Sequence, residues 1–171
     1  MAVLEIKKYP EKVLKEKTAP VGDINGSIHH LIDDLIETMY AAKGVGLAAN
    51  QVGVSKRLCV IDVSTADESI PLIVLINPKI IGKKGSVEEE EGCLSIPDYR
   101  SKVKRAEEVV VRALDRKGNM IEIEGRDLLA RALQHEIDHL DGLLFIDRIS
   151  PIKREFFKKR YKKTLSEKLK V

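Results

Sequence analysis

The stretch Gln134-His135-Glu136-Ile137-Asp138-His139 sets two imidazoles four residues apart, with a carboxylate beside the first. On a helix His135 and His139 stand one turn apart on the same face. Their ring nitrogens then converge on one metal ion, with Glu136 placed to act as a base. Those residue types propose metal-assisted hydrolysis. Two ligands do not complete a site, because a catalytic metal commonly takes three protein ligands and leaves a position for water. A salt-bridged surface helix would carry the same letters. Here, however, Leu128, Ala132, His135, Glu136 and His139 share one broad face, continuous with Leu129 and Leu133. A helix that apolar is expected to be buried, and buried His and Glu side chains need partners.

The residues after His139 offer Asp141, Asp147 and Glu155, none in the context of a thermolysin-like third ligand, and Phe145 stands where an extended signature needs histidine. Cys93 is the better candidate. It lies in Glu91-Gly92-Cys93-Leu94-Ser95-Ile96-Pro97, whose glycine and proline suggest irregular backbone. Metal binding requires its thiolate; an ordinary buried or surface thiol is the alternative. Cys59, inside Leu58-Cys59-Val60-Ile61, reads instead as a small core residue, and two cysteines do not make a disulfide framework. A third segment, Gly44-Val45-Gly46-Leu47-Ala48-Ala49-Asn50-Gln51, is a run of small residues that lets backbone approach a ligand. It lacks the Lys-Ser/Thr ending of a phosphate loop. Gln51 could aim its amide at a developing oxyanion, although a helix end followed by tight packing would explain the run equally well.

The elements that must position these residues are legible in outline. Apolar spacing from Ser27 to Lys43 predicts a helix, with Gly44 as its C′ residue. His29 and His30 are adjacent within it and point about 100° apart, so they are expected at the surface. Strands are expected at Leu58–Val63 and Leu72–Ile76, the second bracketed by Pro71 and Asn77-Pro78. Arg116-Lys117-Gly118-Asn119 predicts a hairpin joining Glu107–Asp115 to Met120–Glu124. The motif helix should run from about Asp127, as N-cap, to Leu140, with Gly142 near its end. A basic helix should follow Ser150-Pro151. Helices interspersed among strands without strict alternation argue for an α+β fold.

At 171 residues the chain fits one domain. No stretch approaches the roughly 20 apolar residues of a membrane span, nothing at the N-terminus resembles a secretory signal, and the cytoplasm is the expected location. Charge is uneven: residues 151–171 carry +7, against −4 for the preceding 150. In that tail Lys153, Arg154, Lys158, Lys159, Arg160, Lys162 and Lys163 interleave with Phe156, Phe157 and Tyr161. One reading is a helix with its aromatics packed on the domain and its charges in water.

Taken together, Gly44–Gln51, Glu91–Ser95 and Gln134–His139 resemble the three signature motifs of the peptide deformylase family. Pro10 to Val21 and Asp141 to Arg148 are similar to that family's flanking segments, so the resemblance runs to about Pro151. It implies removal of the formyl group from the N-terminal formyl-methionine of nascent polypeptides, with release of formate. It also implies one catalytic domain over residues 1–171, with antiparallel sheets packed around the motif helix and residues 151–171 as a basic C-terminal helix. Cys93, His135 and His139 would bind one divalent metal, typically Fe(II), with Zn(II), Ni(II) or Co(II) also able to occupy the site. Glu136 would be the general base, and Gln51 with the Leu94 N–H would stabilise the oxyanion. Gly44, Val45 and Gly46 would wall the formyl site and exclude larger acyl groups. Arg100 would meet the peptide beyond its first residue, and Glu91 with Arg105 would support the metal loop. The tail is then a candidate contact with ribosomal RNA; no membrane or DNA partner is expected. A zinc peptidase would leave Cys93 and Gln51 without work, and a non-catalytic RNA-binding protein would leave all three motifs without work.

Overall fold

A computed structural model of the chain describes residues 2–169, so Met1, Lys170 and Val171 lie outside the described residues. The strands are β1 (Gly46–Ala48), β2 (Leu58–Ile61), β3 (Ile73–Lys84), β4 (Val87–Cys93), β5 (Ile96–Arg105), β6 (Glu108–Leu114) and β7 (Met120–Arg126). The helices are α1 (Gly26–Ala41), α2 (Asp127–Leu140) and α3 (Pro151–Leu169). One antiparallel sheet has the order β1-β2-β3-β6-β7; β4 and β5 form a separate antiparallel pair. This is the expected α+β architecture.

Alternation along the strands explains the layering. In β2, Leu58 and Val60 join the cluster under α1, with Ile28, Ile32, Leu35 and Met39. Cys59 and Ile61 point the other way, onto Leu129, Leu133, Ile137 and Leu140 of α2. A strand sandwiched between two helices reads as continuous apolar sequence, as β2 does. The β4–β5 pair lies over the opposite side of α2, and a third apolar cluster there includes Ile96, Val103, Phe145 and Phe157. The motif helix is therefore central.

Local chemistry departs from expectation at four places. At the end of α1 it is Lys43, not Gly44, that takes the left-handed C′ position, with φ 57°. Lys43 N–H donates to Tyr40 O and Gly44 N–H to Met39 O, each at 3.0 Å, which makes a Schellman close with Gly44 one residue beyond the turn. Gly44 instead lies against the Leu94 side chain, where a methyl would stand 2.8 Å from Cδ1 and that side chain would have to move. Second, Asp127 does not cap α2. Strand β7 runs directly into the helix, so extended Arg126 is the N-cap and Asp127 turns the corner at φ 52°.

Third, β3 does not stop at Asn77-Pro78. A bulge between Ile76 and Lys79 takes up the extra residue opposite β6, and proline, with no N–H to give, is tolerated at such an irregularity. Asn77 at φ 52° is tied through both side-chain polar atoms to Val21. Finally, only part of the tail's aromatic set packs inward. Phe157 is buried against Tyr9 and Tyr99, whereas Phe156 is 69% exposed. No helix among the described residues is long and apolar enough to cross a membrane.

Candidate active site

Helix α2 brings His135 and His139 to one face, as their spacing requires, and the end of β4 lays Cys93 across them. Cys93 Sγ lies 3.3 Å from His139 Nε2, which is 3.1 Å from His135 Nε2. The three donor atoms sit within 4.8 Å of one another, the one such cluster among the described residues. The Glu91 carboxylate is 3.0 Å from His135 Nδ1, so that nitrogen carries a proton and Nε2 is the atom that faces the cluster. Burial pushes the His139 pKa down and holds its ring neutral, the form that ligates a metal. Sulfur and two imidazoles facing one another fit a divalent ion of the Fe, Co, Ni or Zn kind rather than magnesium or calcium. The Phe145 ring stacks beside His135 with centroids 6.4 Å apart.

The carboxylates that competed in sequence for the third ligand are spent elsewhere. Asp141 accepts from Arg57 at 2.7 Å, Asp147 accepts from the Leu144 N–H at 2.8 Å, and Glu155 faces Lys158.

Glu136 lies beside the cluster and is 4% exposed, with Oε1 free of any hydrogen-bond partner among the described residues. Burial is the main influence on its carboxyl and, against the pull of His135, pushes it up to about 7. Gly46 makes the space it occupies, since a methyl at that position would stand 2.6 Å from Glu136 Oε2. Gln51 lies in a short 3-10 turn, Ala49–Val52, directly after β1. Its Oε1 accepts from the Ala48 N–H at 3.0 Å, which turns Nε2 toward Ser95 Oγ at 3.1 Å and Cys93 Sγ at 3.7 Å. Leu94 occupies the tight turn joining β4 to β5. Glu136, Gly46, Gln51, Cys93 and Leu94 line a cleft of about 820 Å³ that also includes Gly44, Val45, Tyr99, Arg100, Leu128, Arg131 and Ala132.

The supporting charges extend beyond the pair expected from sequence. Arg105, 5% exposed, donates through Nε and Nη2 to both oxygens of Glu91 at 2.9 Å. Its Nη1 donates to Asp138 Oδ2 at 2.6 Å, and Asp138 also accepts from Arg148 at 2.8 and 3.1 Å. Burial alone would raise the Glu91 pKa, but the hydrogen bonds from Arg105 and His135 prevail and bring it down to about 2. Arg100 stands at the mouth of the cleft over Gly92 and bonds Glu90 at 2.9 Å, both side chains more than half exposed.

Sequence reading passed over Asn50, Ser95 and Asp138. Asn50 is wholly buried, and its Nδ2 donates to the His139 carbonyl at 2.5 Å, a helix-end acceptor that also takes the Gly142 N–H. It thereby ties the Gln51 segment to the backbone of His139 without touching the cluster. A polar side chain inside an otherwise apolar run was the available signal. For Asp138 it was a carboxylate on a helix expected to be buried.

Comparison with known proteins gives a consistent picture. Residues 3–155 match the family model described as polypeptide deformylase. The chain is 59% identical to the peptide deformylase of Thermodesulfovibrio yellowstonii, covering 95% of this chain and 98% of that protein. It is 55% identical to that of Syntrophobacter fumaroxidans, over 98% of each. Among solved structures, a peptide deformylase from Legionella pneumophila superposes with a TM-score of 0.90 at 45% identity, over 99% of both chains. One from Ehrlichia chaffeensis in complex with actinonin gives 0.89 at 42% identity, over 96% of this chain and 98% of that one.

Proposed function

Because the chain belongs to the polypeptide deformylase family, an enzyme family that removes the N-formyl group from formyl-methionine at the N-terminus of newly made polypeptides, we propose how its own residues divide that work. Residues 1–171 act as one catalytic domain. Cys93, His135 and His139 hold one divalent metal, Fe(II) by preference, with Zn(II), Ni(II) or Co(II) as substitutes. The observation that carries this reading is the convergence of a sulfur and two imidazole nitrogens, within 4.8 Å of one another, beside a buried carboxylate. When bound, the ion supplies Lewis acidity, which acidifies a water and polarises the formyl oxygen.

Glu136 takes the proton of the attacking water. The new C–O bond converts the formyl carbon to a tetrahedral centre. Glu136 then returns the proton to the amide nitrogen as the C–N bond breaks, leaving formate and a free amine. Gln51 Nε2 and the Leu94 N–H donate to the oxyanion, each such donor contributing about 3–4 kcal/mol to the lowered barrier. Gly44, Val45 and Gly46 keep the formyl site small, and Arg100 meets the peptide further along. Glu91 and Arg105 orient His135. The enzyme works in the cytoplasm on nascent chains. On α3, Lys153, Lys159, Lys162 and Lys163 are exposed around the exposed Phe156, a surface suited to ribosomal RNA.

The test is to assay formyl-Met-peptide and unformylated peptide on protein purified without air, with metal content measured on the same preparation. Formate from the first, none from the second, and one ion per chain are expected; cleavage of the unformylated peptide would favour the peptidase reading. Cys93→Ser, dialysed alongside the wild type, should keep less than about a tenth of its metal, since even an outer hydrogen-bond partner is worth about 10–100-fold in affinity. Unchanged content would remove Cys93 from the ligand set. Deleting residues 158–171 should lower ribosome co-sedimentation at low salt about tenfold while hydrolysis of a short peptide continues. Equal sedimentation would reject the RNA contact.

A further inference from the structure

Arg131 stands one turn before His135 on the face of α2 that lines the cleft, between Leu128 and Ala132. It is half-buried and makes no hydrogen bond or ion pair with any described residue, unlike Arg105, Arg148 and Arg100, whose guanidiniums all have carboxylates. Its guanidinium therefore has no counter-charge on the cleft wall, and its fork of N–H donors matches a carboxylate. Exposed Lys43, also on the cleft wall, likewise has no ion-pair partner among the described residues and adds positive charge to the same cleft. The acidic groups lining the cleft do not offset the pair. Glu90 is bonded to Arg100, Glu91 to Arg105 and His135, and Glu136 sits inside the catalytic cluster. That leaves exposed Asp98, which lies on the β5 side of the cleft and bears on Tyr161 of α3.

We propose that Arg131 makes this cleft selective for formyl-methionine peptides that carry an acidic side chain at the second or third residue. The inference rests on the deformylase reading of the cleft and adds a substrate preference to it. Electrostatic complementarity of this kind governs discrimination more than raw binding, and a like charge is rejected more strongly than an opposite one is favoured.

Three formyl-Met tripeptides differing only in Glu, Gln or Lys at the third residue provide the test, with a parallel set varied at the second. Wild-type enzyme should show kcat/KM about tenfold higher for Glu than for Lys at low salt, the ratio narrowing as salt screens it. Arg131→Gln should bring the ratio close to one, Arg131→Lys should retain it, and Arg131→Glu should reverse it. A wild-type ratio near one in both sets, or an equal loss on all peptides in Arg131→Gln, would overturn the proposal. The second result would assign the guanidinium to the peptide backbone instead. Absence of formate from the neutral Gln peptide would indict the deformylase reading, not the role of Arg131.

Discussion

Replacing Glu136 with alanine is expected to leave the metal in place and to lower kcat on a formyl-Met peptide by about a thousandfold or more. General acid–base participation is typically worth 10²–10⁴-fold, and in the proposed mechanism one carboxylate serves twice, first accepting the water proton and then delivering it to the amine. The geometry argues that nothing else can stand in. Glu136 is buried, and one of its oxygens has no partner among the described residues. The neighbouring carboxylates Glu91 and Asp138 are each held by arginine. Metal content and formate release on the same samples separate the two roles. A variant that lost both would make Glu136 part of the metal site, and near-wild-type turnover would remove it from the chemistry. Glutamine is a poorer choice of test, because slow deamidation would restore the base.

The sequence made the motif helix legible because its signals are local: helical spacing, two histidines one turn apart, and Gly142 at φ 78° closing α2. The Schellman bonds there, Gly142 N–H to His139 O and Leu143 N–H to Asp138 O, follow the same local logic. What spacing alone left open was the third ligand. Cys93 lies 42 residues before His135, and only the pairing of β4 with β5 over α2 brings it in; the family resemblance, not periodicity, pointed there. The misplaced C′ residue has a similar origin. Glycine is the favoured left-handed residue, so Gly44 drew that role, but the helix ends one residue earlier and Lys43 takes the turn. Strand β3 outran its expected end because a bulge excuses proline from donating, which no local pattern announces. Asn50 and Asp138 were missed for one reason: each serves a partner distant in sequence, the His139 carbonyl and Arg105 respectively.

That buried charge chain supports the second large effect. Arg105→Met should destabilise the protein by about 3–5 kcal/mol at neutral pH, the usual range when one member of a buried ionic group is removed. Glu91 would then keep only His135, and Asp138 only Arg148. The pH dependence follows from the sign of the Glu91 shift. In the wild type its folded pKa, about 2, lies below the ordinary value of 4.5. The stability it confers is therefore fully present above pH 4.5 and is lost as pH falls from there toward 2. Without Arg105 the largest remaining influence is burial, which raises the pKa, so the variant prefers a protonated Glu91. The gap between the two proteins should consequently be widest near pH 7 and close as the solution is acidified below 4.5. Urea unfolding midpoints across that range measure it, and a gap independent of pH would mean that Arg105 contributes packing rather than charge. Because Glu91 fixes the tautomer of His135, metal affinity should also fall about 10–100-fold. A Glu91→Gln, Arg105→Met double variant distinguishes the two contributions: removing the stranded carboxylate should recover much of the stability while leaving metal affinity low.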